Sequence, residues 1–135
     1  SVAVRRGHPL LLRPEIRLDD LLGYDWIMGA DDTLLTQTVL ARLAELRLPV
    51  PKRRISTSSF LFTLAVLNQT DAIAPLAEPV VESFSGNPSM PFVALPINLG
   101  ITVAPFSIVT RIGSALTPSA QRLAGSILAR APSGA

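Results

Sequence analysis

Apolar and polar residues along this chain fall into blocks that switch between a two-residue and a three-to-four-residue period. Ser1 to Val4 is a short, mostly apolar run, and Arg5-Arg6-Gly7-His8-Pro9-Leu10 follows it, so a strand runs into a Gly/Pro turn. Leu18, Leu21 and Leu22 share one face of a short helix over Arg17 to Leu22, which Gly23 can close. Tyr24 to Met28, around Trp26 and Ile27, reads as a second strand. Gly29 to Asp32 then turn the chain, and Asp31, Asp32 or Thr33 can cap the next element. Leu35, Val39, Leu43 and Leu46 form a helical stripe between Leu34 and Leu48. Arg42, Glu45 and Arg47 mark its wet side, and Pro49 and Pro51 stop it.

The stretch from Ile55 to Leu76 predicts a strand, a hydroxyl-rich turn, a helix from Phe60 to Leu67, a polar turn at Asn68 to Asp71 and a buried strand. Phe60, Leu61, Phe62, Leu64, Ala65, Val66 and Leu67 are apolar on every side, which places this helix deep in the core. Ser58 or Ser59 can cap its first turn. The free N–H groups of that turn then point out of the carboxyl end of the preceding strand, where α/β folds hold ligands. Glu78-Pro79 opens a further short helix through Phe84, and a Gly/Asn/Pro/Ser loop from Ser85 to Pro91 leads to a strand at Phe92 to Ile97. Ile101 to Arg111 reads as one long strand in which Pro105 requires an edge, a bulge or a bend. Thr117-Pro118 opens a last helix with Ala120, Leu123, Ala124, Ile127 and Leu128 on one face, and the tail Pro132 to Ala135 is expected to fray. Strands alternating with helices predict an α/β fold with a mostly parallel sheet covered on both faces.

Composition narrows the picture. A chain of 135 residues, 48% hydrophobic, can bury the core of one modest domain. Its mean hydropathy of +0.41 points to apolar surface that meets something beyond these residues. The net charge is only +2, and the clusters Arg5-Arg6 and Lys52-Arg53-Arg54 read as rim charges beside strands, so no nucleic-acid groove is encoded. Without cysteine there is no disulfide framework and no thiolate metal site. No apolar run approaches the roughly 18 residues that cross a bilayer, and no leader-like segment opens the chain. Beginning directly on a strand, the chain looks like a piece of a longer protein.

Reaction chemistry is thinly supplied. His8 is the only histidine and sits in a turn, without further ligands at metal-binding spacing. No Gly-rich nucleotide loop or nucleophile elbow occurs. Asp19-Asp20 and Asp31-Asp32 read as caps and first-turn charges. The expectation is a non-enzyme with no metal and no cofactor.

Several landmarks in order resemble the effector-binding domain of LysR-type transcriptional regulators. Val4-Arg5-Arg6-Gly7-His8-Pro9-Leu10 looks like that family's strand ending in a His-Pro-Leu turn. Arg17-Leu18-Asp19-Asp20-Leu21 looks like its short helix, and Asp25-Trp26-Ile27 like the next strand. Phe60 to Pro75 resembles its helix, turn and apolar strand, with Asn68-Gln69-Thr70-Asp71 where the family often has a Gly-x-Gly turn. Thr110-Arg111 and Leu116-Thr117-Pro118-Ser119-Ala120 look like the closing strand and terminal helix. Gln69 to Ile73, Leu95 to Gly100 and Ile108 to Arg111 are similar to the subgroup of the galactose-binding-protein regulator.

The resemblance implies a type 2 periplasmic-binding-protein-like α/β fold. Residues 1–97 would form its second lobe, and 98–135 a crossover strand and C-terminal helix belonging to an incomplete first lobe. It also implies a cytoplasmic sensor of a small effector, sugar-like or a small organic acid, held in an interlobe cleft. The effector-binding residues would be Ala30, Asp31, Asp32 and Thr33 with Thr57, Ser58 and Ser59. Carboxylates at Asp31 and Asp32 repel an acid, which favours a neutral polyol. The regulator would be a homodimer or tetramer, with the Leu34 to Leu48 helix as a contact, and would reach DNA only through a helix-turn-helix absent from these residues. A solute-binding lobe of a periplasmic transport receptor, or a scaffold with a vestigial pocket, are the alternatives.

Overall fold

The structure is a computed structural model, and it describes residues 1–85, 87, 90–102, 107–113 and 115–130, with the backbone alone for Ser85. The chain divides into two compact units, Ser1–Val103 and Ala104–Ala135.

In the first unit, β1 (Val2–Arg5) runs into a turn at Gly7, and the chain passes through a 3-10 turn at Pro9–Leu12 to α1 (Leu18–Leu21). At the start of α1 the Asp20 carboxylate accepts the Arg17 backbone N–H at 2.8 Å. That bond, helped by the Arg13 guanidinium, holds the Asp20 carboxyl below the usual carboxylate range. β2 (Trp26–Met28) follows, then α2 (Leu34–Glu45), β3 (Arg54–Ser56) and α3 (Phe60–Gln69). β4 (Ala74–Pro75), α4 (Glu78–Ser85) and β5 (Phe92–Ala94) complete the unit.

The sheet departs from the parallel arrangement that alternating strands and helices suggest. β2 and β3 pair in parallel, and a parallel bridge from Trp26 to Ile73 carries the same direction to the residue before β4. β1, however, lies between β4 and β5 and opposes both, Val2 facing Pro75 and Val4 facing Val93. The cause lies in the connections. The links β2–α2–β3 and β3–α3–β4 are helical crossovers, which keep successive strands parallel. β1 leaves instead through a turn and the short α1, so nothing forces it to follow the others.

Two buried clusters hold the unit together. One gathers Val2, Val4, Leu10, Leu21, Trp26, Val39, Leu43 and Ile73 under α1 and α2. The other gathers Ala3, Ile27, Leu67, Val81 and Phe92 under α3 and α4. Alternate residues of β1 (Val2 and Val4 against Ala3) feed opposite clusters, as a pleated strand requires. His8 is fully buried at the join: its Nδ1 accepts from the Leu10 N–H at 3.1 Å, and its Nε2 lies 3.0 Å from the Asp71 carbonyl. Arg5 pairs with the Asp71 carboxylate at 2.7 Å, and Arg6 donates to the Met90 and Asn87 carbonyls. The Arg5-Arg6 cluster therefore ties turns together from the solvent-facing rim.

Two expectations fail here. The helix over Phe60 to Leu67 is not deep in the core: α3 buries only Thr63 and Leu67, while Leu61 is 77% exposed and Phe62 48%. It covers one face of the sheet, and its apolar composition exceeds what a single contact face can bury. The long strand over Ile101 to Arg111 is also absent from the described part, since 101–102 and 107–111 carry no regular structure. The Pro105 bend and the frayed tail lie outside the described residues. In the second unit, α5 (Pro118–Arg130) begins as expected, with Thr117 Oγ1 accepting the Ala120 N–H, but it buries none of its described residues.

Candidate functional site

β2 and β3 lie side by side in parallel, with Met28 opposite Ser56, so the turns that follow them leave the same edge of the sheet. The Thr57 N–H donates to the Met28 carbonyl at 3.0 Å and fixes the second turn against the first. This edge carries all seven residues that sequence reasoning selected.

The first turn is a tight reversal. The Thr33 N–H and the Thr33 hydroxyl both donate to the Ala30 carbonyl, at 3.0 and 2.9 Å, so Asp31 and Asp32 occupy its two central positions, exposed. Gly29 makes the reversal possible, because a Cβ there would meet Thr33 Oγ1 at 2.7 Å. Thr33 is the N-cap of α2 by backbone geometry, yet its side chain caps no N–H. Its hydroxyl bonds instead to the Ala30 carbonyl and to the Thr36 hydroxyl at 2.9 Å.

The second turn is capped from within. Ser59 Oγ accepts the Phe62 N–H at 3.2 Å, and Thr57 Oγ1 accepts the Ser59 N–H at 3.1 Å. Ser58 stays exposed, with no hydrogen-bond partner among the described residues. Thr57 and Ser59 thus shape the turn, and Ser58 is its free hydroxyl.

Sequence reasoning missed Arg54. Its guanidinium pairs with the Asp31 carboxylate at 2.8 Å, joining β3 to the first turn. The signal was present in the two-residue period of a strand, which puts Arg54 on the same face as Ser56. Reading Lys52-Arg53-Arg54 as rim charges concealed it. Arg53 points elsewhere, pairing with Asp25 at 2.9 Å.

Among the described residues no group of three or more His, Asp or Glu could hold a metal ion. No helix of the described residues is long and apolar enough to cross a membrane. Two apolar hollows of the second unit, both lined by Leu123 and Ile127 of α5 and one also by Ile108 and Leu116, include none of the seven residues.

No solved structure matches the chain. It is 36% identical, over 63% of its length, to the HTH-type transcriptional regulator GbpR of Rhizobium radiobacter. It is 29% identical, over 87% of its length, to the GbpR of Azospirillum brasilense. These alignments cover 28% and 34% of the relatives, so the chain spans about a third of the length of the curated relatives it matches. The model of the LysR substrate binding domain matches residues 1–132, and the chain belongs to that family.

Proposed function

We propose that this chain is the effector-sensing part of a LysR-type transcriptional regulator, taking a small polar metabolite at the edge where β2 and β3 end. The observation that carries the reading is that edge itself. Two turns leave adjacent parallel strands side by side and present Asp31, Asp32 and Ser58 to solvent, beside the first turns of α2 and α3. Residues 1–97 act as the second lobe of a type 2 periplasmic-binding-protein-like clamshell, and 98–135 return to the first lobe. Ala30 to Thr33 and Thr57 to Ser59 line one jaw, and the effector closes the lobes upon itself.

The regulator works in the cytoplasm as a homodimer or tetramer. The family match and the two GbpR relatives support this setting, with DNA reached through a domain outside these residues. The α2 surface serves as a protomer contact, although Val39, Leu43 and Thr36 are already spent on the core and Leu34 is its main exposed apolar residue. The reading assigns no reaction to the chain. A thermal-shift screen against neutral sugars, sugar acids and aromatic acids tests it. Stabilisation by one class, growing with ligand concentration as mass action requires, is the expected result. No stabilisation by any class favours a scaffold.

A further inference from the structure

We infer that Asp31 and Arg54 together form a donor–acceptor clamp that selects a neutral ligand with two adjacent hydroxyls, Arg54 being a specificity-determining residue that sequence reasoning did not find. The inference rests on the effector-site reading above and names the ligand class of that same edge.

A single bond joins the pair, from Arg54 Nη1 to Asp31 Oδ1. Arg54 Nε and Nη2 and Asp31 Oδ2 have no hydrogen-bond partners among the described residues. An ionised carboxylate can only accept and a guanidinium can only donate, so the pair offers both functions at neighbouring positions. A vicinal diol has the matching pattern: one hydroxyl donates to Oδ2 while the other accepts from the guanidinium. A ligand carrying only donors or only acceptors satisfies half of it.

The pair is neutral as a unit, and the adjacent Asp32 is exposed and without a partner. With two carboxylates to one guanidinium the edge carries one net negative charge, which repels an incoming carboxylate. A neutral polyol incurs no such repulsion.

Arg54 opens β3 opposite Trp26, two residues back from Ser56 and on the same face, and its side chain spans the gap to the Asp31 turn. Its side chain is 33% exposed against 74% for Asp31, so Arg54 is the better fixed of the two. As a tie between segments the bond is redundant, because the Thr57 N–H already links β3's end to the Met28 carbonyl. An exposed pair of this kind contributes little to folding, so removing it should leave the fold intact.

The test is binding of D-glucose, D-galactose and D-mannose to the chain, followed by backbone-amide chemical shifts, beside singly deoxygenated forms and the corresponding uronates. Arg54→Gln and Asp31→Asn are expected to weaken the binding sugar at least tenfold each, with amide shifts elsewhere unchanged. On the unsubstituted chain, loss of either clamped hydroxyl should weaken binding by a similar factor, and the same deoxy sugar should lose little further on Arg54→Gln. This ligand-side arm stands even if a variant folds poorly. Sugar binding at this edge that is indifferent to both substitutions overturns the clamp and leaves the effector site standing. Tighter binding of uronates or aromatic acids at this edge does the same. Binding of none of the probes at this edge, with a ligand of another class perturbing a different surface, overturns the clamp and the effector site together.

Discussion

Trp26→Ala is expected to destabilise the first unit by about 3–5 kcal/mol, as a fully buried aromatic replaced by a methyl group generally does. Trp26 is completely buried, and its cluster includes Leu21, Val39, Leu43 and Ile73 from three surrounding segments. Its backbone N–H donates to the Arg53 carbonyl, and the same residue forms the parallel bridge to Ile73. The indole N–H donates to the Leu21 carbonyl at 3.0 Å, so truncation also leaves that buried acceptor without its partner. Such a loss is a large share of the roughly 5–15 kcal/mol that stabilises an ordinary domain. Urea unfolding followed by circular dichroism checks it. Trp26→Phe should fall between the two, because it keeps most of the volume and loses the indole donor. A loss below about 1 kcal/mol for Trp26→Ala would mean that the cluster relaxes around the hole, against the packing described.

The second large effect separates two leucines on one helix. Leu67→Ala should cost about 2–5 kcal/mol, because Leu67 is fully buried with Ala3, Ile27 and Phe92. Leu61→Ala should stay within about 0.5 kcal/mol, because that side chain is 77% exposed. A helix buried on all sides would give comparable losses at both positions. The same unfolding experiment therefore decides whether α3 is a one-faced covering helix or a central one. Equal losses would restore the central placement that its composition suggested.

These leucines show where a sequence stops being readable. Periodicity located every helix and strand of the first unit to within a few residues, because the signals are local: Gly7 and Pro9 after β1, Pro49 and Pro51 after α2, Pro79 in the first turn of α4. The burial of α3 was not readable, because Leu61 and Leu67 have the same hydropathy and only the sheet decides which of them it covers. The direction of β1 was equally hidden, since its partners Pro75 and Val93 lie far along the chain and pairing is a long-range property. In Ile101 to Arg111, β-branched composition suggested a strand, but composition cannot supply a neighbouring strand to pair with. The seven residues proposed to meet the effector came from the resemblance to the family, mapped onto two turns whose strand ends and caps are local features. Arg54 was not among them, because its role depends on an ion pair to Asp31 across 23 positions.

The pair also changes how the acidic turn should be understood. Taken alone, Asp31 and Asp32 form a negative patch; with Arg54 attached, only Asp32 remains uncompensated. Net charge at a site follows from which partners the fold brings to it, and that information is absent from the local sequence.

The central claim is that the β2–β3 edge receives the effector, and it is tested most directly by assigning the backbone amides of this chain and titrating in the sugar that gives the largest thermal shift. The account predicts saturable shifts concentrated at Gly29 to Thr33 and at Arg54 to Phe60, with α5 unmoved. Shifts confined to α5 or to the outer face of α3, with the Asp31 and Ser58 amides still, would contradict it.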